Sequence, residues 1–295
     1  MKRKIIILLL IIIHFFSFGQ IKGIVVDYKT KKTIPYVNIW IQNTIYGTSS
    51  NKNGYFEIEK EKNKTNYIIF SAVGYNEVKI KSTLLPDTIF LKHQITEIPE
   101  IIISANKVKK EQIIGKLKHQ FPSYRIGSGS GKNPYISAIF IPYKEEYKET
   151  PFLKSIEFLT HSNINNAKFN IRFYLADKNN KPNQYLVNKN IIGIAKRGAR
   201  KTKIDLSPYN IIFPKEGLYI AIEWLIIEEN KHTYNYTIKG SKKKYKDGVE
   251  YMPSFSAFRV EDSAYVWEYY KGNWKHILAS DNLYYLLQMK ITLTN

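Results

Sequence analysis

With 295 residues, 44% of them hydrophobic, the chain can bury one large core or two ordinary ones, which excludes global disorder. It contains no cysteine, so disulfides, thiol chemistry and cysteine-ligated zinc are excluded. The formal net charge of +20 invites a nucleic-acid reading, yet only six of the 45 basic residues are arginine, the residue that reads phosphate and guanine bidentately. No nucleic-acid partner is therefore expected.

Residues 1–19 read as a secretory signal. Lys2, Arg3 and Lys4 form a basic end, Ile5 to Phe16 an apolar run, and Ser17-Phe18-Gly19 a small-x-small site with cleavage after Gly19. The apolar run is shorter than the roughly 20 residues a membrane helix needs. The mature chain is expected to have no transmembrane segment and to be exported: periplasmic, associated with the outer membrane, or secreted.

From residue 20 to 95 the pattern is short strands separated by turn signals, as in a small sandwich. "KTKKTIPYVNIWIQ" places Val37, Ile39 and Ile41 on one face and Asn38, Trp40 and Gln42 on the other. "GYFEIE" alternates Phe56 and Ile58 with Glu57 and Glu59, and "NYIIFSAVGYNEVKIK" gives two strands hinged near Gly74. "SSNKNGYFEI" lacks the alternating carboxylates of a calcium loop and has Lys52 in its middle. Asn53-Gly54 suits a tight hairpin turn instead.

Gly23, the "TIPYVNIWI" run, Gly47-Thr48, Asn53-Gly54-Tyr55-Phe56 and "FSAVGY" (70–75) together resemble the carboxypeptidase regulatory-like domain. That is a transthyretin-like β-sandwich found at the amino terminus of exported Bacteroidetes proteins and of some TonB-dependent receptors. Asn51 departs from the Asp usual in the family. The resemblance implies a structural or docking role and no peptidase activity, because the catalytic residues of carboxypeptidases lie in another domain.

Residues 96–132 read as a linker. Ile113, Ile114, Leu117 and Phe121 have helical spacing, weakened by Gly115 and Pro122. "GSGSGKN" (127–133) fails as a phosphate loop, since Ile126 and Asn133 stand where Gly and Ser or Thr are needed. It reads as a flexible loop.

Residues 133–295 return to alternation, as in "YISAIFI", "KFNIRFYLA", "GLYIAIEWLII" and "YYLLQMKITLT", and "WEYYKGNWKHI" reads as a hairpin turning at Lys271-Gly272-Asn273. The expected fold class is all-β: the transthyretin-like sandwich followed by a second, larger, jelly-roll-like β-sandwich. "FNIRFYLADKNNKPNQYLVNKNII" and "IDLSPYNIIFPKEGLYIAIEW" resemble the region that follows the regulatory-like domain in other Bacteroidetes proteins, for which no activity is assigned. The basic clusters Lys196, Arg197, Arg200, Lys201, Lys203 and Lys242, Lys243, Lys244, Lys246 read as solvated loops.

Chemistry finds little support. His93, His119, His161, His232 and His276 are scattered, with no His-Glu-x-x-His pattern for zinc, and no cofactor motif is present. Glu157 and Glu223 lie in apolar strands, where burial raises a carboxyl pKa, but a salt bridge or an outward orientation explains them as well. Trp267, Tyr269 and Trp274 crowd one hairpin and are candidates for stacking on sugar rings, against the alternative that they pair within the hairpin or fill a core. The expectation is a non-catalytic exported structural or protein-interaction protein whose partners are envelope proteins or glycans. The alternative is carbohydrate binding by the carboxy-terminal sandwich.

Overall fold

Alternating side chains set the strands, and the two faces of each strand set the layers. The computed structural model describes residues 20–59, 66–94, 109–118, 124–128, 134–238, 240, 243–261, 266–270, 272–278 and 282–295. The leader-like segment 1–19 and most of the glycine-serine loop lie outside the described residues.

Seven strands form the amino-terminal sandwich: β1 (Gln20–Asp27), β2 (Asn38–Ile41), β3 (Gly47–Ser49), β4 (Tyr55–Glu59), β5 (Tyr67–Ser71), β6 (Val78–Lys81) and β7 (Thr88–Leu91). One sheet runs β4-β1-β7 and the other β3-β2-β5-β6. Val37, Ile39 and Ile41 enter the core between them with Phe56, Ile58, Ile68, Phe70 and Ile89, as the alternation predicts.

The turn at Asn53-Gly54 differs from expectation. It is tight, with Gly54 at φ +79°, and the Asn51 side-chain oxygen accepts hydrogen bonds from the amides of Asn53 (2.9 Å) and Tyr55 (3.1 Å). Yet it closes no hairpin: β3 and β4 belong to different sheets, and β4 pairs with β1. The turn carries the chain across the sandwich. Asn51 supplies the acceptor that an Asp would, so its departure from the family pattern leaves the turn intact.

The second sandwich contains β8 (Glu111–Gly115), β9 (Tyr124–Ile126), β10 (Ile136–Ile141), β11 (Phe152–Ser162), β12 (Ala167–Ala176), β13 (Pro182–Tyr185), β14 (Ile191–Ala195), β15 (Gly198–Asp205) and β16 (Leu218–Trp224). After a ribbon of β17 (Lys231–Thr237) and β18 (Lys244–Tyr251) come β19 (Ser254–Val260), β20 (Val266–Tyr270), β21 (Asn273–Lys275), β22 (Tyr284–Leu287) and β23 (Met289–Thr294). One sheet runs β13-β12-β16-β10-β20-β21, with β14 also on β12. The other runs β22-β19-β11-β23-β8, with β15 on β11 and β9 on β19. Phe158, Phe169, Trp224 and Phe255 meet edge-to-face between the sheets, at centroid distances of 4.9–6.0 Å.

Two parts of the expected linker are strands instead. β8 pairs with β23 from Lys290↔Gly115 to Thr294↔Glu111, and β9 pairs with β19. Ile114 packs on the second core while Ile113 is 62% exposed, which is period two and not helical spacing. The pairing partners lie some 130 to 180 residues away, so tertiary pairing overrides the local pattern. The cluster Arg200, Lys201 and Lys203 sits on β15, which among the described residues pairs only with β11; exposed charge on such an edge discourages further strand addition.

Candidate functional site at the domain junction

An antiparallel sheet usually shows one face to water. The sheet built on β16 does not. Leu218, Ile220, Ile222 and Trp224 face the core, and the alternate residues Tyr219, Ala221 and Glu223 are also fully buried. Two things cover the outer face: the amino-terminal sandwich, and the β20–β21 edge of the same sheet, which curls over so that Trp274 reaches Tyr174.

Register explains the outer face. Ala221 and Ala138 stand opposite one another at its middle, flanked by Tyr174, Tyr219 and Phe140, and by Ile136 beside Tyr269. The small alanines leave room above the sheet. Trp274 lies on this cluster, edge-on to Tyr174 at 5.5 Å and to Tyr269 at 5.2 Å. Trp267 packs on the same face and against His276, at 3.9 Å between centroids. All three candidate stacking residues are half-buried, and none stands clear as a flat platform. Tyr269 touches the amino-terminal sandwich through Trp40, at 5.1 Å.

Trp40 belongs to the face of β2 turned away from its own core, and it is 5% exposed. The seam continues in polar contacts. The Ser49 amide donates to the Ile226 carbonyl (3.1 Å), and the Ile226 amide returns a bond to Ser49 Oγ (3.0 Å). Asn190 Nδ2 donates to the Pro35 carbonyl (3.2 Å). The seam leaves buried polar atoms without hydrogen-bond partners among the described residues: Asn38 Nδ2 and Trp40 Nε1, together with Asn188 Oδ1.

Beneath the seam lies the ion pair of Glu223 and Arg172, both essentially without solvent exposure. Arg172 donates through Nη2 to Glu223 Oε1 (2.5 Å) and through Nε to Oε2 (2.6 Å), and Asn170 Nδ2 adds a bond to Oε2 (2.9 Å). Arg172 also reaches the Tyr185 hydroxyl. Burial pushes the Glu223 carboxyl up from the usual carboxylate range, against the pull of Arg172, Asn170 and Asn38. Burial also opposes the Arg172 charge, but Glu223, Tyr185 and Tyr174 outweigh it and hold the guanidinium charged. The Asn38 amide faces this network from across the seam, outside hydrogen-bond geometry.

The other carboxyls are likewise engaged. Glu157 lies on the opposite sheet and pairs with Lys290 at 2.7 Å, so Glu157 and Glu223 do not flank a common cleft. Glu268 is 6% exposed; burial raises its carboxyl to about 7, opposed by a hydrogen bond from Tyr135. Sequence reasoning missed Arg172, Asn170 and Glu268. The signal was present in "FNIRFY" and "VWEYY", where a polar residue sits between aromatic ones in a strand.

The described histidines each have a local partner. His93 pairs with Asp27 (2.6 Å), His161 with Ser256 (2.8 Å), His232 with Glu250 (2.8 Å), and His276 with the Val266 carbonyl (2.7 Å). Among the described residues no three His, Asp or Glu side chains gather as a metal site. His119 lies outside them. A cleft of about 630 Å³ opens between the sandwiches, lined by Lys22, Tyr46, Tyr55, Glu57, Glu228 and Lys231 among others. Both signs of charge and two exposed tyrosines give it a mixed surface with no single ligand class. Among the described residues no helix is long and apolar enough to cross a membrane.

Residues 21–103 match the model of the CarboxypepD_reg-like domain, so the amino-terminal sandwich is a domain of that kind. No curated protein matches the chain. Among solved structures, the clostridial cysteine protease Cwp84 after propeptide cleavage is similar at 12% identity and a TM-score of 0.39, over 88% of this chain and 66% of that one. The infectious bursal disease virus Gx strain is similar at 12% identity and a TM-score of 0.24, over 88% of this chain and 55% of that one. The chain therefore spans less than two thirds of the length of either, and at these scores neither likeness bears on function.

Proposed function

We propose that this chain, which opens on a CarboxypepD_reg-like domain, is an exported, non-catalytic structural or protein-interaction protein of the bacterial envelope. In this reading the amino-terminal domain is a buttress that covers the outer aromatic face of the second sandwich and fixes the cleft between them. One observation carries it: the face of the β2–β3 pair that would otherwise meet solvent is spent on the seam, through Trp40 of β2 against Tyr269 and Ser49 of β3 against Ile226. The non-catalytic part is supported by the buried carboxyls. Glu223 is held by Arg172 and Asn170, and Glu268 by Tyr135, so neither is presented to a substrate.

Export is tested by fractionating cells that express the full chain and sequencing the amino terminus of the recovered protein. Recovery in periplasmic or outer-membrane material, starting at Gln20, is the expected result. An uncleaved chain in the cytosol would overturn the reading. Carbohydrate binding through Trp267, Tyr269 and Trp274 has less support, because their rings are engaged at the seam and across the hairpin.

A further inference from the structure

Among the described residues the β17–β18 ribbon is paired only with itself. An isolated two-stranded hairpin is marginal in water, so its side chains must hold it together. They do so with a row of rings. His232 and Tyr234 lie near parallel (14°) at 6.1 Å, Tyr234 and Tyr236 follow at 6.0 Å, and Tyr236 stacks on its cross-strand partner Tyr245 at 5.3 Å and 16°. Gly248 stands opposite Tyr234, and a β-carbon there would come within 3.0 Å of the Tyr234 and Tyr236 rings. The glycine lets the two rings settle onto the ribbon.

The row is not sealed beneath another layer: Tyr236 is 42% exposed and Ile238 beyond it 52%. Lys243 sits over the Tyr245 ring at 5.4 Å; Lys244 and Lys246 are exposed on β18, Lys244 on the face opposite Tyr245 and Lys246 beside the exposed Asp247. At the foot of the ribbon the sign changes, where Glu228 and Glu229 stand at the cleft. The lysines are therefore concentrated on the outer part of the ribbon, with Lys243 on the tyrosine face and Lys244 on the other.

We propose that the β17–β18 ribbon is a docking arm for an acidic polysaccharide, with the tyrosine rings stacking on sugar faces and the lysines meeting carboxylate or sulfate groups. Tyrosine offers an apolar face with a polar edge, which suits a pyranose ring. Lysine supplies unforked point charge, which suits anions spaced along a flexible chain better than base edges. The inference rests on the ribbon alone, and failure here would leave the seam untouched.

The test is affinity electrophoresis of the full chain through gels containing polygalacturonate, its methyl-esterified form, dextran sulfate, or oligo(dT). Retardation by polygalacturonate or dextran sulfate, with the esterified form at least about tenfold weaker, is expected, and the two anionic gels separate carboxylate from sulfate recognition. Tyr236→Ala combined with Tyr245→Ala should weaken binding roughly tenfold while the unfolding midpoint of the sandwiches stays in place. Gly248→Val should do the same with no change in charge, because it lifts the rings. Equal binding by the tyrosine variant, retardation by oligo(dT) alone, or no retardation in either anionic gel would overturn the proposal.

Discussion

Arg172 and Glu223 illustrate why a buried carboxylate is a poor sign of catalysis by itself. Removing water from both charges costs several kcal/mol each, and the pair persists because a two-point contact, Asn170 and two tyrosine hydroxyls answer its hydrogen-bonding capacity. Arg172→Ala should destabilise the chain by about 3–5 kcal/mol in denaturant titration, because it strands Glu223. Arg172→Met with Glu223→Met should cost clearly less than either single removal. Glu268 carries a pH signature. Its folded pKa of about 7 lies above the 4.5 of an unperturbed glutamate, so its contribution to stability is complete below pH 4.5 and is lost as pH rises through 7. The loss should amount to roughly 2–4 kcal/mol, and Glu268→Gln should flatten that part of the stability–pH curve. Glu223 was legible in the sequence as a carboxyl in an apolar strand. Its partner was not, because Arg172 lies 51 residues earlier and meets it only across the β12–β16 register.

At the scale of elements, alternation made most strands of both sandwiches readable, and the β20–β21 hairpin turns within its Lys271-Gly272-Asn273 signal, with Asn273 already paired to Tyr270. Alternation does not say what covers the second face of a strand. "NIWI" reads as half-buried and is buried throughout, because Trp40 meets the other sandwich. Nor does it give the partner of a short strand: β8 is a strand because β23 lies beside it. The β17–β18 ribbon was overlooked although "HTYNYT" alternates, since the lysines that follow read as a loop. Trp40 separates packing from hydrogen bonding at the seam. Trp40→Ala should cost about 3–5 kcal/mol. Trp40→Phe should cost less than about 2, because Nε1 has no bond to lose among the described residues. Urea titration of the two variants checks both numbers.

At the scale of the whole molecule, the seam joins the two sandwiches into one body. Interfaces between domains of one chain are often small and polar, and relative motion is then the usual expectation. Here a tryptophan, reciprocal Ser49–Ile226 bonds and the β20–β21 turn packed against Trp40 at Gly272 oppose it. A buttressed pair of sandwiches holds the cleft between them in a fixed shape. The most direct measurement is scanning calorimetry of the protein beside the double variant Trp40→Ala with Tyr269→Ala. The account predicts a single cooperative transition in the parent chain, whose enthalpy matches the van't Hoff value, and its separation into two in the double variant. Two independent transitions in the parent chain, unmoved by those substitutions, would contradict it.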